Sequence, residues 1–290
     1  MNTAWKRFFA LLVVGIMVGT LAGCNILGSD DETFVPAPAP IYVLSHMTAK
    51  AGMTAVAITA LNDFIAKTRT ESGCLRYDAF QGTTYTVGGA DASREFCLLE
   101  VWKDQDAITF HLGTAWFGQF FGSAAATYDL QAGTNSIFDV TSMISTLGDK
   151  AATPILSYSF GKLVSVAGQE ANVQTALVNF MTSTRLETGC VKFDLFQGMP
   201  TNGTSSGTFQ VFEVYAGDDA LATHTAAAYT TTFVNTATPL SQSLTRFGLK
   251  RLSLPAANII NPTPATQAQQ KVIVPAANLA FYSKAMNEQK

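Results

Sequence analysis

Two histidines in this 290-residue chain stand in the same setting, 113 residues apart. His111 follows "EFCLLEVWKDQDAITF" and His224 follows "TFQVFEVYAGDDALAT", so each comes nine residues after the aromatic of a Glu-Val-Trp or Glu-Val-Tyr run. An imidazole titrates near neutral pH and can take a proton from a weakly acidic carbon or hydroxyl. A carboxylate on one ring nitrogen fixes the tautomer and leaves the other nitrogen basic, and Glu100 and Glu213 on the preceding strand are the expected partners. Trp102 and Trp116 beside the first histidine, and Tyr215 and Tyr229 beside the second, could stack on an aromatic substrate. A structural reading stands next to this one. Each histidine shares its helical stripe with apolar or small residues (Ile108, Leu112 and Ala115; Leu221, Thr225 and Ala228), where a histidine is ordinarily a hydrogen-bonded core residue.

A longer stretch is also written twice. "TRTESGCLRYDAFQG" at 68–82 returns as "TRLETGCVKFDLFQG" at 184–198, with nine of fifteen positions identical. It reads as a helix-to-strand joint. Arg69 and Arg185 suit a helix C-terminus, Gly73 and Gly189 are expected to supply a left-handed stop, and Cys74 and Cys190 begin a strand. Glu71 and Glu187 belong to that joint in this reading. Asp78 and Asp194 share a strand face with Phe80 and Phe196, an unusual place for carboxylates. His46, the third histidine, falls in the first strand, with Phe160 as its expected match. Cys74, Cys97 and Cys190 are expected to be buried free thiols, and no Cys/His spacing fits a metal site.

These residues need elements to hold them. "IYVLSHM" reads as a strand and 52–68 as a helix with Ala57, Leu61, Phe64, Ile65 and Thr68 inward. "CLRYDAFQ" and "REFCLLEVW" read as a hairpin, Asp104 caps a second helix running to about Phe121, and "NSIFDVTSMI" is a fourth strand. The second half repeats the order with "ILSYSFGKLV", a helix over 169–184, the hairpin "CVKFDLFQ" and "TFQVFEVY", a helix from Asp218 or Asp219, and "SLTRFGLKRLSL". The expected fold class is α+β, two tandem β-α-β-β-α-β ferredoxin-like units over 41–150 and 151–254. Residues 96–102 are apolar on both faces apart from Glu100, so the first sheet needs a partner sheet, and the second unit is the nearest available. Residues 255–290, rich in Pro, Ala, Asn and Gln, read as an extended tail.

Composition bounds the function. Hydrophobic residues make up 48% of the chain and charged residues 13%, which suits a large packed core. A net charge of −3 without a basic stripe gives no reason to expect nucleic acid. At the N-terminus, Lys6 and Arg7 precede an apolar run over 8–19 that is too short to span a bilayer and suits a signal peptide over 1–23. The ending Leu21-Ala22-Gly23-Cys24 resembles the lipobox of bacterial lipoproteins. That resemblance implies lipidation at Cys24, a tether over 24–40, and a lipid-anchored protein of the cell envelope, with Asn25 favouring the periplasmic face of the outer membrane.

"GCLRYD" followed by "FCLLEVWKDQDAITFHLGTAWF", and "GCVKFD" followed by "FQVFEVYAGDDALATHTAAAYTTTF", resemble the antibiotic biosynthesis monooxygenase domain of the dimeric α/β barrel superfamily. The two matches cover roughly 41–252. The resemblance implies an internal pseudo-dimer, with two sheets packed together in one chain and a pocket between each sheet and its helices. It also implies His111 or His224 as a base, oriented by Glu100 or Glu213, for cofactor-independent oxygenation of a small phenol or quinol by O₂. Heme-cleaving relatives need an axial histidine where this chain has Phe121 and Val234. The alternative is a noncatalytic small-molecule-binding or structural lipoprotein that keeps the barrel.

Overall fold

Each repeat folds into four strands with helices on one face. The computed structural model describes residues 40–87, 89, 91–129, 139–146, 156–198 and 207–252. Cys24, the tether and the tail beyond Leu252 lie outside them. The first unit runs β1 (Ile41–Thr48), α1 (Thr54–Thr68), β2 (Cys74–Val87), β3 (Glu95–Trp102), α2 (Gln105–Leu112), α3 (Ala115–Thr127) and β4 (Asp139–Thr146). The second runs β5 (Ser157–Ser165), α4 (Glu170–Leu186), β6 (Cys190–Gly198), β7 (Thr208–Tyr215), α5 (Asp218–Ala226), α6 (Ala228–Ala237) and β8 (Ser241–Arg251).

The eight strands close into one antiparallel barrel in the order β1-β3-β2-β8-β5-β7-β6-β4. Each unit supplies a ferredoxin-like sheet, β4-β1-β3-β2 or β8-β5-β7-β6. The two sheets face each other and are also sewn together along both edges, through β2–β8 and β4–β6. Closure removes the open edges that two separate sheets would leave. The intrachain dimeric α/β barrel expected from the repeat is therefore the observed fold.

Strand alternation sorts the core into three layers. Along β3, Phe96, Leu98 and Trp102 face the helices of the first unit, while Cys97 and Leu99 face the barrel interior. The interior joins them to Leu44 and Phe80 from the first unit and to Phe160, Phe196, Phe212 and Phe247 from the second. A third layer, with Val173, Leu177, Phe180 and Tyr215, lies under the helices of the second unit.

Two local expectations change. The helix expected from Asp104 to about Phe121 is two helices. Asp104 caps the first by accepting from Ala107 N (2.9 Å), and Thr114 restarts the second by accepting from Phe117 N (3.3 Å). The second unit breaks at the matching place, at extended Ala227 (φ −63°, ψ 137°). Each histidine thus falls in the last turn of a short helix, and a threonine hydroxyl donates to its carbonyl: Thr114 to His111 (2.7 Å) and Thr230 to His224 (2.8 Å). That last turn is where the ring is aimed back over the sheet.

Gly73 and Gly189 are not left-handed stops, because the glycines with positive φ among the described residues are Gly52, Gly168 and Gly217. They are glycines because a helix lies against them. A Cβ on Gly73 would come within 2.2 Å of Ala107 Cβ, and one on Gly189 within 2.4 Å of Ala220 Cβ. Gly73→Ala is therefore expected to push α2 off the strand and cost about 1–3 kcal/mol in urea unfolding. A neutral result would show that α2 is free to shift.

Candidate functional site

His111 lies in a closed shell of rings. The centroid of Trp102 is 4.6 Å away, Phe117 5.1 Å, Phe64 5.6 Å and Tyr77 5.7 Å, and the residue is 1% exposed. Its polar partner comes from the repeated joint. Nδ1 is 2.9 Å from Glu71 Oε1, and the same oxygen accepts from Trp116 Nε1 at 2.9 Å. A carboxylate only accepts, so Nδ1 carries the proton of that bond. The other carboxylate oxygen, Glu71 Oε2, is buried with no hydrogen-bond partner among the described residues.

The second unit repeats the arrangement with phenols in place of indoles. His224 Nδ1 lies 3.1 Å from Glu187 Oε2 and 3.1 Å from the Tyr229 hydroxyl, which also donates to Glu187 Oε1. His224 is fully buried, with Tyr215 4.9 Å and Phe180 5.4 Å from its ring. Its Nε2 faces Glu213 Oε2 at 3.6 Å and has no hydrogen-bond partner among the described residues. Burial, reinforced by the Arg246 cation and opposed by Glu213 and Glu187, holds His224 below the ordinary histidine range. The neutral imidazole is the form able to take a proton.

Glu100 and Glu213 sit under the histidines but are held differently. Glu100 accepts from the Trp102 indole (2.9 Å) and from Ser45 Oγ (3.4 Å). Glu213 accepts from Tyr215 OH (2.7 Å) and from a fork of Arg246, Nε at 3.3 Å and Nη2 at 2.8 Å. Burial works against the Glu213 charge, but Arg246 and then His224 hold its carboxyl below the usual range. The register explains the difference. Val43 pairs with Glu100 and Ser159 with Glu213, so Ser45 corresponds to Gly161. Gly161 has no hydroxyl to lend, and its β8 partner is Arg246, whereas the β4 partner of Ser45 is Val140.

The structure thus brings together most residues singled out in the sequence, with one reassignment. The acid at Nδ1 of His111 is Glu71, where Glu100 was expected, and the acid at Nδ1 of His224 is Glu187, with Glu213 on the opposite side. Trp102 and Tyr215 are fully buried and donate to Glu100 and Glu213, while Trp116 and Tyr229 are half-buried and donate to Glu71 and Glu187. His46 lies elsewhere, on the interior face of the barrel. Its Nε2 meets Glu95 Oε2 (2.9 Å), and its ring stacks on Phe160 at 5.1 Å. The same register pairs His46 with Lys162 as its counterpart, in place of Phe160.

Cys74, Cys97 and Cys190 are free thiols. Burial, followed by the charges of Glu100 and Glu71, pushes Cys74 up to about 12, and burial holds Cys97 well above its ordinary value. Cys97 and Cys190 are buried as expected, whereas Cys74 is half-buried. Both raised thiols are expected to react slowly with a thiol-specific aromatic disulfide reagent at pH 8, Cys97 the more slowly, and to react fast once the chain is unfolded in urea. Fast reaction of Cys97 in the native protein would contradict its burial.

Comparisons agree with the geometry. Residues 40–122 match the family described as antibiotic biosynthesis monooxygenase. An uncharacterised protein of Synechocystis sp. is 26% identical over 96 residues, a match spanning 33% of this chain and 55% of that protein. An anthrone oxidase-like protein of known structure superposes with a TM-score of 0.53 at 10% identity, over 74% of this chain and 94% of its own. A candidate monooxygenase from Fusobacterium nucleatum gives 0.52 at 16% identity, over 74% and 93%. At those identities the likeness is one of fold. The segment that matches this family, residues 40–122, carries His111, Glu71 and Glu100.

Proposed function

We propose that the protein is a cofactor-independent monooxygenase that oxidises a small phenol or quinol with O₂. The observation that carries this reading is an unpartnered buried polar atom in each site, Glu71 Oε2 in the first unit and His224 Nε2 in the second. Buried polar atoms are nearly always paired, so each site looks built to be completed by a ligand. Nε2 would take a proton from the substrate, with Glu71 or Glu187 stabilising the imidazolium that forms. The electron-rich anion would give one electron to O₂, and the resulting radical pair would join as a peroxide. Loss of water from the peroxide would leave a carbonyl, so the ring carbon that is a CH₂ in the substrate's keto tautomer reacts with O₂ to give C=O and H₂O. A dry aromatic layer suits such an anion. Entry would run past Trp116 or Tyr229, the half-buried rings of each site. The anthrone oxidase-like neighbour is in keeping with a polycyclic phenol as substrate class.

A second reading is a noncatalytic barrel whose histidines are struts. It is favoured by the enclosure of the two rings, 1% and 0% exposed. Oxygen uptake separates the two. With a panel of anaerobically prepared dihydroxynaphthalenes, the enzyme reading expects stoichiometric uptake above autoxidation that His111→Gln and His224→Gln together abolish. Uptake unchanged in the folded double variant would remove the histidines from the chemistry. Bound ligand without turnover would favour the noncatalytic reading.

Anchoring is proposed as well: lipid on Cys24 would hold the barrel at the periplasmic face of the outer membrane. Cys24→Ala should then release the protein from the membrane fraction.

A further inference from the structure

Among the described residues, one end of the barrel gathers more positive charge than its carboxylates balance. Asp78, on the interior face of β2, takes Arg69 Nη2 (2.6 Å) and Arg251 Nη2 (2.7 Å) on Oδ1 and Arg76 Nε (2.6 Å) on Oδ2. Three guanidiniums therefore share one carboxylate, in a chain whose net charge is −3. Burial opposes the Asp78 charge, but Arg76 and Arg251 hold the carboxyl below the usual range, so it is already ionised and has no further charge to give.

A latch between the two units would account for one arginine. Arg251 comes from β8 of the second unit and reaches Asp78 of the first. Arg69 has a second task, donating from Nε to Tyr77 O at 2.8 Å. Arg76 is left over. It meets Asp78 through Nε alone, and Arg251 through one Nη2 alone, with no other hydrogen bond from either guanidinium among the described residues. Their side chains are 24% and 29% exposed, so the spare N–H groups are reachable. Lys192, the counterpart of Arg76, lies at the same end of the barrel, pairs with Asp194 (3.2 Å) and sits 5.9 Å over the Tyr42 ring. Cations held this close repel each other, and guanidinium forks match oxyanions bidentately.

We propose that this mouth of the barrel binds an oxyanion, a carboxylate or phosphate group carried by a small ligand, between Arg76 and Arg251. The site is separate from the two histidines, which lie on the helix side of the sheets. The test uses inorganic phosphate and benzoate as probes in isothermal titration of the full chain at low ionic strength. Arg76→Gln and the double variant Arg76→Gln/Arg251→Gln are compared with Lys250→Gln, an exposed neighbour. Saturable binding of either probe is expected, at least tenfold weaker in Arg76→Gln and unchanged in Lys250→Gln. Phosphate alone binding would assign a phosphorylated ligand, and benzoate alone an aromatic acid. The single variant, which leaves the Arg251 latch intact, keeps the test valid if the double variant fails to fold by circular dichroism. Absence of saturable binding, or equal affinity in Arg76→Gln and the parent, would overturn the proposal.

Discussion

Glu71→Ala is expected to lower the stability of the barrel by about 2–6 kcal/mol, because it strands one buried and one half-buried donor at about 1–3 kcal/mol each. The donors are His111 Nδ1–H and Trp116 Nε1–H, which share Oε1 of a carboxylate that is 1% exposed. On the His111 side, 1% exposed, little water can replace that oxygen. Glu71→Gln, which keeps one acceptor oxygen, should lose less. The matching Glu187→Ala should cost only about 1–2 kcal/mol, since a partly solvated partner can turn to water. Glu187 is 19% exposed and its donor Tyr229 is half-buried. Urea unfolding followed by tryptophan fluorescence measures all three. Equal losses at the two positions would mean that the first site is no more closed than the second.

That asymmetry marks the limit of what could be read from sequence. The repeat named the order of elements, because a strand alternates and a helix runs at 3.6 residues per turn whatever surrounds it. It also aligned His111 with His224. It did not identify their acids, because Glu71 lies forty residues before His111, in a segment that reads as a solvated joint. A signal was nevertheless present. Glu71 and Glu187 are identical while their neighbours change from Thr70 to Leu186 and from Ser72 to Thr188. Trp116 and Tyr229 differ but keep an N–H or O–H donor at the same position. Gly73 and Gly189 were misread for a related reason. A glycine after a helix suggests a left-handed residue, whereas the actual demand came from Ala107 and Ala220 across the fold. Arg246 was invisible, since only the pairing of β8 with β5 brings it to Glu213.

Arg246→Leu carries the second large effect. Removing one partner of a buried ion pair costs about 3–5 kcal/mol, because the remaining charge is left unpaired in the core. Glu213 is fully buried and keeps only the Tyr215 hydroxyl and the neutral His224 beside it. The pH dependence follows from the direction of the Glu213 shift. In the parent its folded carboxyl titrates below the unfolded one, so its stabilisation is present above the ordinary carboxylate range and is lost as pH falls through the lower folded value. Without the guanidinium, burial alone raises the folded value above the unfolded one. The variant then regains stability relative to the parent as pH falls and Glu213 becomes neutral. The gap between the two proteins should be widest near pH 7–8 and should narrow on acidification. Adding Glu213→Leu to Arg246→Leu should recover most of the loss. A gap that does not change with pH would place the cost in lost packing of the arginine stem, not in the unpaired charge.

The central claim is that both histidines donate through Nδ1 to the glutamates of the repeated joint and leave Nε2 as the basic atom. Long-range ¹H–¹⁵N correlation of the imidazole nitrogens tests it most directly. At pH 8, the account predicts a protonated Nδ1 and an unprotonated Nε2 for both His111 and His224, with the His111 pattern lost in Glu71→Gln. A protonated Nε2 on either ring, or an imidazolium at His224, would contradict it.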